Sequence, residues 1–347
     1  MTGGLTAPGA GWRSASGATQ KAKRRRPGKG RGGGRRGGEV PMVEDVEFTS
    51  YYGRPIIKPP VWKTPEVPLY LFLGGAAGTS SILGALGELT RRPRMARRAH
   101  YVAAGGALAS VVLLIVDLGR PERFLHMLRV FKPTSPLSVG SYILSPFSAL
   151  TTATAGLQLL GWFPRLRPLV AALGGVFGGP MTTYTAVLLA NTAVPSWHEA
   201  HEELPFVFAG SAMAAGGGIT MALAPVDEAG PSRKMAVTGA AIELAVMQRV
   251  ETGHGIVSEP YHEGKAGRFL KAAKACTAAG AGLTVLAGRT RAGAIASGTL
   301  LAAGSLLTRF GVFEAGMASA KDPKYTVVPQ RERLAARREG HASTVTR

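Results

Sequence analysis

The stretch PLYLFLGGAAGTSSILGALGELTRRPRMARRAHYVAAGGALASVVLLIVDLGR (residues 68–120) decides the fold. It holds two apolar runs of spanning length, separated by the cationic loop TRRPRMARR at 90–98. A bilayer core of about 30 Å takes roughly 20 apolar residues as a helix. Working outward, the same alternation of apolar run and short charged loop continues towards the C-terminus, with PRLRP (164–168) as another clear break. It predicts eight helices, at 68–89, 98–118, 138–161, 168–190, 205–224, 233–250, 268–288 and 292–312. The fold class is therefore all-α, a polytopic membrane helix bundle with about eight transmembrane helices. The sixth run is the weakest, because AVTGAAIELAVM (236–247) is short and contains Glu243. Trp62, Trp162 and Trp197 all fall at predicted helix ends, where interfacial aromatics gather. Small residues recur at four-residue spacing, as in Gly74 with Gly78 and Gly174 with Gly178. In lipid such pairs let helix backbones approach closely.

Four regions follow from composition: a basic Gly-rich tail at 1–45, a juxtamembrane segment at 46–66, the membrane domain at 67–317, and a basic C-terminal tail at 318–347. The net charge of +20 invites a nucleic-acid reading, but ten of the 41 Lys and Arg lie between Arg13 and Arg36. That segment lacks the apolar content to fold. It reads as a disordered arm held near membrane lipid, with no nucleic acid as partner. Cys276 is the single cysteine, so neither an internal disulfide nor an iron–sulfur cluster in this chain is expected. The seven histidines lie in loops, tails or at helix starts rather than facing one another inside helices, which argues against haem. No metal site is expected.

An even number of spans puts both termini on one side, and the polar residues gather there. Asp117, Arg120, Arg123 and His126 follow the second helix; Asn191 and Trp197 follow the fourth; Arg309 closes the eighth. Glu88 lies near the opposite face. Asp117 directly follows VVLLIV and needs a partner; Arg120, three residues on, is the expected one. The pair either ends a helix as an interfacial ion pair or has a function. Glu243 is an interior carboxyl, placed either for proton movement or for a hydrogen bond to a neighbouring helix. Tyr184 and Asn191, seven residues apart, share one helix face. A phenol and an amide suit a quinone carbonyl at a lipid-accessible edge, and equally an interhelical hydrogen bond. Counting Lys and Arg in the short loops and near-membrane tails tips the tails towards the cytoplasm.

Four segments carry a resemblance. DLGRPERFLHMLRVFKPTSPLSVGSYIL (117–144) looks like the signature loop of the NrfD/PsrC family, the membrane subunits of polysulfide-reductase-type complexes. PLYLFLGGAAGT (68–79), YTAVLLANTAVPSWHEAHEELPFVFAGSA (184–212) and RFGVFEAG (309–316) are similar to its first helix, its fourth-to-fifth helix region and its last helix. The resemblance implies a subunit in the bacterial cytoplasmic (inner) membrane. Such a subunit passes electrons between menaquinone or ubiquinone and a four-cluster ferredoxin-like iron–sulfur subunit, which contacts a molybdopterin oxidoreductase catalytic subunit. By position Tyr184 matches the tyrosine that hydrogen-bonds the quinone, and Tyr70 stands where some members have a histidine. Asp117 and Arg120 match the family's polar loop motif. In relatives the partner lies outside the cytoplasm, so resemblance and charge counting orient the chain oppositely. Two other functions remain open on residues alone: an ion or solute transporter using Glu243 and Asp117, and a passive membrane anchor for a soluble redox enzyme.

Overall fold

The computed structural model describes residues 55–338 other than 119 and 121; among these, all regular structure is helical. The basic arm and the last nine residues lie outside the described residues. In chain order the helices are α1 (Glu66–Leu89), α2 (Pro93–Leu118), α3 (Glu122–Met127), α4 (Pro136–Leu160), α5 (Arg167–Ala190), α6 (Pro195–Glu199), α7 (Leu204–Leu223), α8 (Gly230–Thr252), α9 (Glu259–His262), α10 (Gly264–Ala287), α11 (Arg291–Lys321) and α12 (Lys324–Arg338). Six of them (α1, α2, α4, α7, α10 and α11) are long and apolar enough to cross a membrane. The other two long helices, α5 with 24 residues and α8 with 23, reach about 35 Å at 1.5 Å per residue. Thus the sixth apolar run, short as hydropathy, is a full-length helix. Its ends carry Arg233, Lys234, Arg249 and Glu251, which end the apolar pattern before they end the hydrogen-bonding.

Local chemistry sets the helix ends. Ser135 caps α4 by accepting from the Ser138 N–H with Pro136 next in line, and Gly161 closes the helix in the left-handed region at φ 67°. Thr290 accepts from the Gly293 N–H, 3.1 Å away, and opens α11. Around Pro180 in α5, which cannot donate, the Thr182 hydroxyl binds the Gly179 carbonyl at 2.7 Å.

The bundle is built around α1 and α7. About two-thirds of the apolar window of each is buried, against 28% for α2, α4 and α10, which present most of their surface outward. α1 packs on α2, α5, α7 and α11, while α7 packs on α8 and α11. One of the closest crossings joins α1 to α5. A Cβ on Gly78 would fall 2.6 Å from the Gly178 carbonyl oxygen, and one on Gly178 would fall 2.5 Å from that of Gly78. The two backbones touch, and rigid backbone cannot yield as a side chain can. Gly178→Val should therefore destabilise the bundle by about 1–3 kcal/mol. The measurement is thermal unfolding in detergent, and an unchanged midpoint would show that the crossing is looser than this.

Three expectations need correction. Trp197 is not interfacial: it is fully buried, donates its indole N–H to the Val312 carbonyl at 2.7 Å, and stacks on Trp62 at 5.6 Å. Only Gly316 leaves room for its ring on α11. Arg309 does not close the last helix, because α11 runs twelve residues further, to Lys321. The C-terminal tail also begins as structure: α12 follows at once, and its Arg333 pairs with Glu199 of α6 while Lys324 pairs with Glu259 of α9. The short helices α3, α6 and α9 sit in the loops of the face that holds the start of α1 and the end of α11.

Candidate functional site

The first ingredient is a narrow seam where four helices converge near that face. Tyr70 of α1, Leu114 of α2, Leu137, Gly140 and Ser141 of α4, and Tyr184 and Leu188 of α5 line it. Its free volume is about 10 Å³, room for a single water-sized sphere. Tyr70 is buried and Tyr184 partly so. The Tyr184 ring lies against Gly140, where an added Cβ would meet its Cε2 at 2.5 Å. The Ser110 hydroxyl donates to the Tyr70 carbonyl at 3.0 Å and ties α2 to α1 here. Ser141 donates its hydroxyl to the Leu137 carbonyl at 2.8 Å within α4. Among the described residues neither phenol hydroxyl has a hydrogen-bond partner, and apart from Ser141 the rest of the wall is apolar.

The residues expected around the second helix's end are placed differently. Asp117 accepts from the Lys63 backbone N–H at 3.3 Å, so it ties the segment before α1 to the end of α2. It also acts electrostatically on the Tyr70 phenol. Its expected ion pair with Arg120 is not formed: Arg120 is exposed in the turn, and the Lys63 amide takes its place. Arg123 reaches back to the Leu118 carbonyl at 3.4 Å, while His126 is exposed on α3. Asn191 is exposed at the end of α5 and lies outside the seam. Trp197 is core.

A second polar group lies deep in the other half of the bundle. Glu243 of α8 is 2% exposed, and its Oε1 accepts from the Thr308 hydroxyl at 2.6 Å. Thr277 of α10 approaches Oε2 at 3.5 Å. One residue beyond Thr308, Arg309 is 1% exposed. Its guanidinium covers the Phe208 ring at 3.8 Å and donates from Nη2 to the Phe208 carbonyl at 2.9 Å. Nε and Nη1 have no partner among the described residues. Glu243 supplies the opposing charge from nearby rather than by direct contact. From Glu243 a second narrow seam runs between α8 and α10 to Lys274, which pairs with the buried Glu251. The sequence singles out the two charged residues. It gives no sign of the hydroxyl partners of Glu243, Thr277 and Thr308, which lie in otherwise small-residue runs.

Glu88 belongs to neither group. It ends α1 on the opposite face, 3.2 Å from Arg167 of α5 and 3.6 Å from the buried His100 of α2. The polar residues singled out in the sequence thus fall into separate groups rather than one path. Among the described residues no group of three or more His, Cys, Asp or Glu is placed to hold a metal ion.

No curated protein matches the chain. The polysulfide reductase family model NrfD_2 matches residues 48–321, which takes in all eight long helices, the tyrosine seam and the buried Glu243 with Arg309. Over that span, this chain is an integral membrane protein that belongs to the NrfD polysulfide reductase family.

Proposed function

We propose that the chain is the quinone-binding membrane subunit of an oxidoreductase complex, with eight transmembrane helices and its quinone site at the tyrosine seam. The carrying observation is the pair of phenols, Tyr70 and Tyr184, that have no hydrogen-bond partner among the described residues and share one largely apolar seam between four helices. The donor set fits a quinone carbonyl: two neutral O–H donors, with Leu114, Leu137 and Leu188 to flank a ring. Space is the second test. A seam of about 10 Å³ admits a ring only when a side chain swings aside. Tyr184, which packs against Gly140 and the cluster around Leu114 and Met181 with no hydrogen bond among the described residues, is the one that would have to move. A bound quinone, menaquinone or ubiquinone, supplies two-electron, two-proton redox chemistry. Tyr70 and Tyr184 hold its carbonyl oxygen by donating from their hydroxyls. Asp117, beside the Tyr70 phenol and anchored by the Lys63 amide, takes up or returns the proton at its carboxylate.

Electrons leave to a partner on the same face. The connection from α2 to α4 exposes Leu125 and Val130 at 68% each and Phe131 at 53%, next to the cations Arg120, Arg123 and Arg129. An apolar patch with a charged rim at the mouth of the seam suits a docked protein. The partner is a four-cluster ferredoxin-like iron–sulfur subunit, itself bound to a molybdopterin catalytic subunit, in a bacterial inner membrane. Glu243, its hydroxyls and the seam to Lys274 and Glu251 support proton movement through the second half of the bundle.

Gly140→Ala presses on the site directly. The new methyl meets the ring of Tyr184 first, with Cε2 at 2.5 Å, so the ring must shift within its packing and stability should fall by about 1–3 kcal/mol. Quinol-linked turnover of the complex should fall by about tenfold, because the phenol is pushed from its donor position. Equal turnover with an unchanged melting point would count against the seam as the site.

A further inference from the structure

On the face opposite the seam, the start of α8 and the end of α10 enclose a cleft of about 420 Å³. Arg233, Lys234, Val237 and Thr238 line one side, and Thr284, Val285 and Arg289 the other. Three of the lining residues are cations and none is a carboxylate. A fourth cation stands behind them: a side chain on Gly230 would lie 3.2 Å from Arg92 Nη1 and 3.9 Å from Arg233 Nη2. Arg92 and Arg289 both repel the Arg233 guanidinium.

The nearest acids do not relieve this. Asp227 and Glu228 both pair with Arg94, and Glu228 also accepts from the Met95 N–H at 2.8 Å. Arg233 is instead fixed by backbone. Its Nη1 donates to the Val226 carbonyl at 3.0 Å and more weakly to that of Gly288 at 3.4 Å. Among the described residues these are its side chain's only hydrogen bonds, so the cleft gathers positive charge that no carboxylate in its lining compensates. Mutual repulsion among these cations favours an anion bound between them.

The surroundings choose the anion. The cleft opens beside Val285, 68% exposed, and Leu286, 87% exposed, on the outer surface of α10. Arg233 and Thr284 lie within one turn of the helix ends, at the level where lipid headgroups meet the hydrocarbon. We propose that this cleft binds the phosphate headgroup of an anionic phospholipid, whose acyl chains lie along Val285 and Leu286. Arg289, Lys234 and Arg233 bind the phosphate oxygens, and basic pockets between membrane helices are suited to this. The proposal does not depend on the quinone reading.

The test is native mass spectrometry of the full chain released from detergent, titrated with phosphatidylglycerol, phosphatidylcholine or inorganic phosphate. The wild type should retain one phosphatidylglycerol at roughly tenfold lower concentration than phosphatidylcholine. Lys234→Gln with Arg289→Gln, both exposed side chains, should remove that preference while leaving phosphatidylcholine retention unchanged. Removing two cations elsewhere, with Lys265→Gln and Arg268→Gln, should leave the preference intact. If the double cleft variant does not fold, Arg289→Gln alone should reduce the preference severalfold. Equal retention of the two lipids by the wild type would overturn the proposal. So would an unchanged preference in the cleft variants, or displacement of the lipid by millimolar inorganic phosphate.

Discussion

Tyr184→Phe should lower quinol-linked turnover of the assembled complex by roughly ten- to a hundredfold, with the amount of complex in the membrane unchanged. The phenylalanine ring keeps the contact with Gly140 and the apolar wall, so packing has no reason to fail. What is lost is one O–H donor in an apolar seam. A hydrogen bond of that kind contributes about 1–3 kcal/mol, and each 1.4 kcal/mol is about tenfold. Tyr70→Phe should act in the same direction. If both phenols hold one carbonyl oxygen, the double variant should fall short of the product of the two single effects, as coupled neighbours do. Steady-state kinetics on the purified complex gives all three values. Wild-type turnover in Tyr184→Phe would remove the residue from the site.

The second large effect belongs to stability. Replacing Glu243 by Leu removes the carboxylate that offsets a fully buried guanidinium whose Nε and Nη1 lack partners among the described residues. Leaving a buried charge uncompensated costs about 3–5 kcal/mol for a contacting pair. Here the groups are close without touching, so about 3 kcal/mol is the expected loss. It should appear as a drop of several degrees in melting temperature. Adding Arg309→Met should restore part of it, since the second change removes the stranded charge and leaves an apolar side chain against Phe208. A double-mutant cycle should give a coupling of about 1–3 kcal/mol. Strict additivity would mean that the two residues do not sense each other.

Most of the bundle is legible in the sequence because lipid imposes one simple demand, a run of about 20 apolar residues per helix. The demand is blind to what happens at helix ends. α2 starts at Pro93, inside the cationic loop, and α11 continues nine residues past the expected 312. A helix persists through charged residues once they reach water or a partner. Arg309 shows the same limit from inside: a charge in an apolar run reads as an end, although a ring and a carbonyl of α7 hold it in the core. The short helices α3, α6 and α9 span four to six residues, too few for any periodicity.

The site is legible to a different degree. Counting spans places Tyr70 and Tyr184 at the same end of the bundle, and the structure puts both in one seam. Their neighbours Leu137, Gly140 and Ser141 come from α4, and no pairing rule in a single sequence links α4 to α1. Asp117 was expected beside Arg120 because three residues is a helical spacing. The helix ends at Leu118, so the spacing no longer holds, and a backbone amide from another segment takes the carboxylate.

The most direct test of the central claim is photolabelling of the purified complex with a photoreactive quinone analogue, mapped by peptide sequencing. The seam predicts label on the α1 peptide with Tyr70, the α4 peptide with Leu137 to Ser141, or the α5 peptide with Tyr184, suppressed by excess native quinone. The wider cleft lined by Lys265, Phe269 and Phe310, about 460 Å³, is the natural rival. Competable label confined to α10 and α11 there, with none in the seam, would contradict the account.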